Sequence, residues 1–144
     1  MKAKEYLQQI RRLDVEIDEN TEELARLNAL VTKVTSVLSG DVVSRTREAD
    51  TMTEAINKII ELRKELDRNI DIFVDMKMEV KRMLSLLENP IHFKILNSRY
   101  VLYKTWEQIA CELNFTYQWV CGDLHGKALQ EFQEILDREK IFDN

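Results

Sequence analysis

The stretch that decides the fold is residues 2–38, KAKEYLQQIRRLDVEIDENTEELARLNALVTKVTSVL, which contains neither glycine nor proline. Apolar residues recur in it every seven positions, and a second apolar row lies three positions further on. Such rows form one narrow seam along a helix, as in a coiled coil. Asn20 also falls on the seam, where a polar side chain costs stability but can fix register. The rows are Ile10, Ile17, Leu24, Val31 and Leu38, and then Leu13, Leu27 and Val34.

A second long helix follows in the sequence. Gly40 comes just after the first seam, where helices commonly end, and residues 41–50, DVVSRTREAD, lack a helical period and predict a loop. Residues 51–54, TMTE, have the spacing of a capping box, which predicts a helix start. The main seam of this helix is Met52, Ile59, Leu66, Phe73, Val80 and Leu87, with Ile56, Ile70 and Leu84 beside it.

Two helices of roughly 35 residues joined by a short loop most easily fold back on each other. Asn89-Pro90 closes the pair, because proline disfavours helical geometry in the residue before it. The sequence therefore predicts an antiparallel coiled-coil hairpin arm over residues 1–88. Apolar residues left outside the seam suggest a homodimer with four paired helices. The predicted oligomerisation residues are Ile10, Ile17, Leu24, Val31, Ile60, Met76 and Met83.

The composition supports an all-α class. One third of the residues are charged, and the chain has three glycines and one proline, too few for the many turns of a β-sandwich or α/β fold. Apolar runs are shorter than the ~20 residues of a membrane span, and residues 1–12 lack the apolar region of a signal peptide. We therefore expect a cytoplasmic protein that does not enter membranes.

Chemistry-bearing motifs are scarce in the sequence. It shows no glycine-rich phosphate loop, no HExxH helix and no Cys and His placed with an orienting group. Cys111 and Cys121 are ten residues apart, a spacing that fits neither a redox pair nor a zinc half-site. We expect no enzymatic activity, no cofactor and no bound metal.

Residues 89–144 predict a small helix-turn-helix domain. A first short helix follows Pro90, Thr105–Gln108 has capping-box spacing, Asn114-Phe115 makes a turn, and Thr116 caps a third helix. Small helical pairs without DNA function use the same spacing, so that alternative stays open. The predicted shared core is Ile109, Leu113, Val120 and Leu124, and the third helix also turns Ala128 and Phe132 inward.

Residues 95–120, ILNSRYVLYKTWEQIACELNFTYQWV, followed by LHGKAL at residues 124–129, resemble the sigma-factor region-four-like family of small phage proteins. This family is related to late-gene transcription activators, and many members begin with a KEYL-type helix, as at residues 4–7. The most specific matches are Arg99-Tyr100, Thr105-Trp106, Ile109-Ala110 and Leu124-His125-Gly126. The resemblance implies binding to double-stranded promoter DNA and contact with host RNA polymerase, in the cytoplasm of a bacterial host.

Candidate DNA contacts follow from this interpretation. Thr116, Tyr117, Gln118 and Cys121 would lie on the early exposed face of the recognition helix, where glutamine suits the adenine edge. Arg99, Lys104 and Lys127 would contact phosphates. The sequence departs from the family pattern at Cys121-Gly122-Asp123, and residues 90–144 carry six basic against eight acidic side chains. The rival hypothesis is a protein-interaction module whose helix-turn-helix fold has lost DNA binding.

Overall fold

Every regular element of the chain is helical within the residues that the computed structural model describes, 1–37 and 42–143. The predicted all-α class is confirmed. No helix in these two ranges is long and apolar enough to cross a membrane. The helices are α1 (Ala3–Val37), α2 (Val42–Leu84), α3 (Pro90–Leu96), α4 (Trp106–Leu113) and α5 (His125–Asp143), with π-helical segments at Asn97–Val101 and Trp119–Leu124.

Helix α2 begins earlier than the sequence predicts. It starts at Val42, so the predicted loop over residues 41–50 is wrong from residue 42 onward, and the predicted start at residues 51–54 is wrong. The Thr51 and Thr53 hydroxyls donate to backbone carbonyl oxygens four residues back, at 2.9 Å each, as threonines inside a helix do. Residues 42–50 contain neither glycine nor proline, so they can be helical even though their apolar residues show no helical period. The predicted helix end at Leu38 and Gly40 lies outside the described residues.

The chain divides into two compact units, and the division differs from the predicted boundary between residues 88 and 89. Unit 1 comprises Met1–Leu13 and Phe73–Asn144, and unit 2 comprises Asp14–Ile72. The physical reason lies in the core of unit 1, where Leu7 of α1 and Val80 of α2 are buried with Phe132 of α5, each 0 % exposed. The two ends of the predicted arm thus belong to the same core as the C-terminal helices.

Unit 1 has a second, smaller core between α3, α4 and the helix that follows. Its buried members are Ile95, Ile109, Ala110, Val120 and Leu124, and Leu113 packs against them. The four residues predicted to share a core thus lie together, while Ala128 and Phe132 join the larger core. Local bonds define the ends of α4: Thr105 and Gln108 form the predicted capping box, and Asn114 closes the helix in the left-handed region at φ 58°.

Unit 2 pairs α1 with α2 in opposite directions. Asn69 Nδ2 donates to Glu16 Oε1 at 3.4 Å near one end, and the Thr35 hydroxyl lies 4.0 Å from Met52 Sδ near the other. The predicted flanking residues Ile56 and Ile70 are wrong as seam members, because they are 38 % and 40 % exposed. The row beside the main seam lies one position earlier, and in unit 2 it consists of Ala55, Leu62 and Asn69.

Asn20 gives a test of this seam. Its Nδ2 atom is buried and has no hydrogen-bond partner among the described residues, and an unpaired buried donor is destabilising. We expect Asn20→Leu to raise the stability of unit 2 by about 1–2 kcal/mol, measured as the urea midpoint of helix loss by circular dichroism. The exposed Asn28→Leu variant on the same helix is the control. Equal midpoints for the two variants would contradict the assigned burial.

Candidate functional site

Two π-helical segments shape one side of unit 1. The first carries Arg99 and Tyr100, and it ends with the Leu102 amide donating to the Asn97 carbonyl at 3.0 Å. The second carries Cys121 and leads directly into His125, the first residue of α5. Single π-helical turns inside helices are rare and are frequently found at functional sites. The side chains of these two segments are therefore candidate functional residues.

Tyr100 and His125 form a buried polar pair. The Tyr100 hydroxyl lies 2.7 Å from His125 Nε2, and the residues are 7 % and 9 % exposed. A hydrogen bond from the histidine ring to the Cys121 backbone carbonyl leaves Nε2 to accept the hydroxyl hydrogen. Burial, and then the charges of Lys4 and Arg99, lower the pKa of His125 to about 4, while burial raises the pKa of Tyr100. Both rings are therefore uncharged at neutral pH.

Arg99 is held in place from two sides. Its guanidinium carbon lies 4.7 Å from the centre of the Trp106 ring, and its Nη1 donates to the Lys104 carbonyl at 3.1 Å. Trp106 in turn meets the edge of His125, with ring centres 4.6 Å apart. A guanidinium stacked on an indole and bonded at one nitrogen keeps its remaining N–H donors for other partners.

Two adjoining pockets lie around these residues, and we refer to them together as the cationic groove. They have volumes of about 220 Å³ and about 70 Å³, and both are lined by Gln8, Arg99 and Tyr100. Among the described residues, no carboxylate oxygen lies within 4.0 Å of the basic groups of the groove. The larger pocket is also lined by Lys4, Trp106, Cys121 and His125, and the smaller one by Arg11 and Tyr103.

The start of the predicted recognition helix is exposed. The Thr116 hydroxyl accepts from the Trp119 amide at 3.3 Å, which is the predicted cap, and Thr116, Tyr117 and Gln118 all face solvent. Cys121 is less exposed than the sequence predicts, since it is half-buried and lines the cationic groove. The helix thus runs from an exposed polar turn into the wall of the groove.

The predicted phosphate contacts fall into two groups. Lys104 Nζ lies 2.7 Å from Glu112, and Lys127 Nζ lies 3.1 Å from Asp123, so both lysines are paired with carboxylates. Arg99 has no carboxylate partner among the described residues and lines the groove.

Sequence reasoning missed the α1 side chains of the groove. Lys4, Gln8 and Arg11 come from the N-terminal turns of a helix that the heptad pattern assigns to the arm. They lie about 90 residues from Arg99 in the sequence. No local motif marks them, and only the fold brings them together with the π-helical segments.

Most of the predicted oligomerisation residues are buried or half-buried within the chain itself. Ile10 and Met83 are each 1 % exposed in the core of unit 1, where Met76 packs against them. Ile17, Leu24 and Val31 are half-buried, whereas Ile60 is 48 % exposed. Homodimerisation stays a prediction, and the mass of the protein in solution tests it.

No family model, curated protein or solved structure matches this chain. The resemblance to the phage sigma-factor region-four-like family therefore stays a prediction that rests on the quoted residues. Over the described ranges, no group of three or more His, Cys, Asp or Glu side chains could hold a metal ion. Cys111 and Cys121 are free cysteines.

Proposed function

We propose that this chain is a phage transcription regulator that binds double-stranded promoter DNA in the cytoplasm of a bacterial host. In this proposal α4 and the helix that begins at Tyr117 act as a helix-turn-helix, and host RNA polymerase is a partner. The observation that carries it is the capped, exposed start of the second helix, with Thr116, Tyr117 and Gln118 facing solvent. In helix-turn-helix proteins this part of the recognition helix contacts base edges.

The roles of the side chains differ in this proposal. The amide of Gln118 offers a donor and an acceptor, which match the major-groove edge of adenine. Arg99 supplies positive charge near the same helix, whereas Lys104 and Lys127 are neutralised by their acidic partners. With a net charge of −5, the protein gains little from general attraction to DNA, so we expect binding that is weak, strongly salt-dependent and strengthened by RNA polymerase.

The substitution Gln118→Ala tests the proposal. We expect it to weaken specific DNA binding by about 1–3 kcal/mol, roughly ten-fold or more, because one bidentate base contact is lost. The measurement is fluorescence anisotropy at low salt on duplex DNA from upstream of the protein's own gene, with and without RNA polymerase. Gln130→Ala, at another exposed glutamine, on α5, is the matched control. No association of the unmodified protein in either condition would contradict the proposal.

The alternative function, a protein-interaction module, is favoured by a different observation. Two large aromatic side chains, Tyr117 and Trp119, are 43 % and 44 % exposed on the same turn, and exposed aromatic residues are typical anchors of protein interfaces. Under this alternative, Trp119→Ala abolishes the regulatory activity and Gln118→Ala leaves it unchanged. Under the proposed DNA-binding function, Gln118→Ala is the damaging substitution, and the two variants therefore separate the functions.

A further inference from the structure

We propose that the cationic groove binds a phosphate group. The inference does not depend on helix-turn-helix activity, because it concerns the side of unit 1 formed by α1 and the two π-helical segments. Three basic side chains, Lys4, Arg11 and Arg99, meet there around two adjoining pockets. Three features of the groove favour an anion: its cations have no carboxylate partner among the described residues, Arg99 is fixed in position, and the larger pocket has room and polar lining for a phosphate.

Three basic side chains without a carboxylate partner line this one groove. Elsewhere in unit 1 some basic groups are paired, as Arg82 is with Glu139 at 3.1 Å and Lys94 with Glu112 at 2.9 Å, and others, such as Arg12 and Lys81, line neither pocket. The groove brings three cations together without a carboxylate within 4.0 Å among the described residues. Like charges held together repel each other, and a bound anion relieves that repulsion. In a protein with a net charge of −5, three cations around two adjoining pockets form a site suited to an anionic ligand.

The groove is also organised before any ligand binds. Trp106 and the Lys104 carbonyl fix the Arg99 guanidinium, and Arg11 lies 5.5 Å from the centre of the Tyr103 ring. Side chains that are already ordered lose less conformational entropy on binding. The planar guanidinium presents paired N–H donors, a geometry that matches two oxygens of one phosphate.

The remaining lining favours phosphate over a single carboxylate. Lys4 adds a mobile point charge and Gln8 adds an amide donor, so the groove offers more donors than the two oxygens of a carboxylate can accept. The Nε2 atom of His125 is already occupied by the Tyr100 hydroxyl at 2.7 Å, so this ring is not a competing donor. A volume of about 220 Å³ accommodates a phosphate together with part of the molecule that carries it.

The test is a titration of the full-length protein with inorganic phosphate, followed by nitrogen–proton NMR spectra at constant ionic strength with chloride as the balancing anion. The two indole N–H signals serve as internal reporters. Trp106 lines the groove, whereas Trp119 packs against Phe115 outside it. We expect the Trp106 signal to shift and saturate in the millimolar range while the Trp119 signal stays in place.

Variants complete the experiment. Lys4→Gln should weaken phosphate binding about ten-fold, as expected for the loss of one charge-assisted contact, and since Lys4 is exposed the fold should be retained, as thermal melting will show. Lys64→Gln, the same change on the exposed face of α2, should have no effect. A Trp106 shift that never saturates, or equal affinity in the Lys4→Gln and Lys64→Gln variants, would overturn the proposal.

A final addition of duplex DNA distinguishes the source of the phosphate group. If the duplex reverses the phosphate-induced shift of Trp106, the groove binds the DNA backbone. If phosphate and duplex bind together, the ligand is a free phosphate-bearing molecule. Both results require a phosphate site in the groove, and neither depends on Gln118.

Discussion

Replacing Leu7 by alanine is expected to lower the free energy of unfolding of unit 1 by about 2–5 kcal/mol, the usual cost of removing a buried leucine side chain. Leu7 is 0 % exposed and lies in the core that also contains Phe132 and Leu136. Alanine would leave a cavity between the first turns of α1 and the C-terminal helix. Urea unfolding followed by tryptophan fluorescence measures the effect, because Trp106 and Trp119 both belong to unit 1.

Leu30→Ala provides the matched control for this experiment. Leu30 lies on the same helix, α1, but it is 40 % exposed, so the same substitution should change stability by less than about 1 kcal/mol, since alanine also favours the helix. A loss for Leu7→Ala as small as that for Leu30→Ala would show that the N-terminal turns do not form part of the core of unit 1.

Local features of the fold could be predicted from the sequence. Residues 2–37 lack helix breakers and carry heptad spacing, and α1 covers Ala3–Val37. Two of the predicted caps are present: Thr105 and Gln108 form their reciprocal bonds, and the Thr116 hydroxyl accepts from the Trp119 amide. The same capping-box spacing at residues 51–54 lies inside α2, so short-range spacing marks a helix start only where the preceding residues do not continue the helix.

Features that depend on distant contacts could not be predicted in this way. The observed seam row of Ala55, Leu62 and Asn69 contains a small and a polar residue. The sequence instead predicts the more apolar Ile56 and Ile70 as seam members, and both are exposed. The division at residues 13 and 72 arises because α5 packs against the ends of α1 and α2. Heptad spacing describes one helix face and contains no information about which helix covers it.

In the candidate site too, the sequence predicts what depends on local spacing and misses what depends on distant contacts. Thr116, Tyr117 and Gln118 are exposed as predicted, because capping and helical period set their positions. Lys104 and Lys127 were chosen for their charge, and only the structure reveals Glu112 and Asp123 beside them. Cys121 lies in the second π-helical segment and lines the groove, and the α-helical period assumed for the sequence prediction does not describe such a segment.

Acidification from about pH 7 to about pH 5 is expected to destabilise unit 1 through His125 by roughly 1–2 kcal/mol. The pKa of this buried histidine is lowered from 6.5 to about 4. In the unfolded chain the ring gains its proton as the pH falls below 6.5, whereas in the folded chain it stays neutral down to about pH 4. The unfolded state therefore binds more protons in this window, so stability is full above pH 6.5 and falls as the pH decreases.

Urea unfolding at a series of pH values measures this loss, and His125→Gln isolates its source. A glutamine oxygen can still accept from the Tyr100 hydroxyl but does not titrate, so the variant should be less stable at neutral pH and should lose much less stability on acidification. The control is His92→Gln, which removes the histidine that lies 2.9 Å from Glu131 and should keep the His125-dependent loss. Because Lys4 and Arg99 contribute to the lowered pKa of His125, Lys4→Gln should reduce the pH dependence in part. An unchanged pH dependence in His125→Gln would show that protonation of the buried pair does not limit the stability of unit 1.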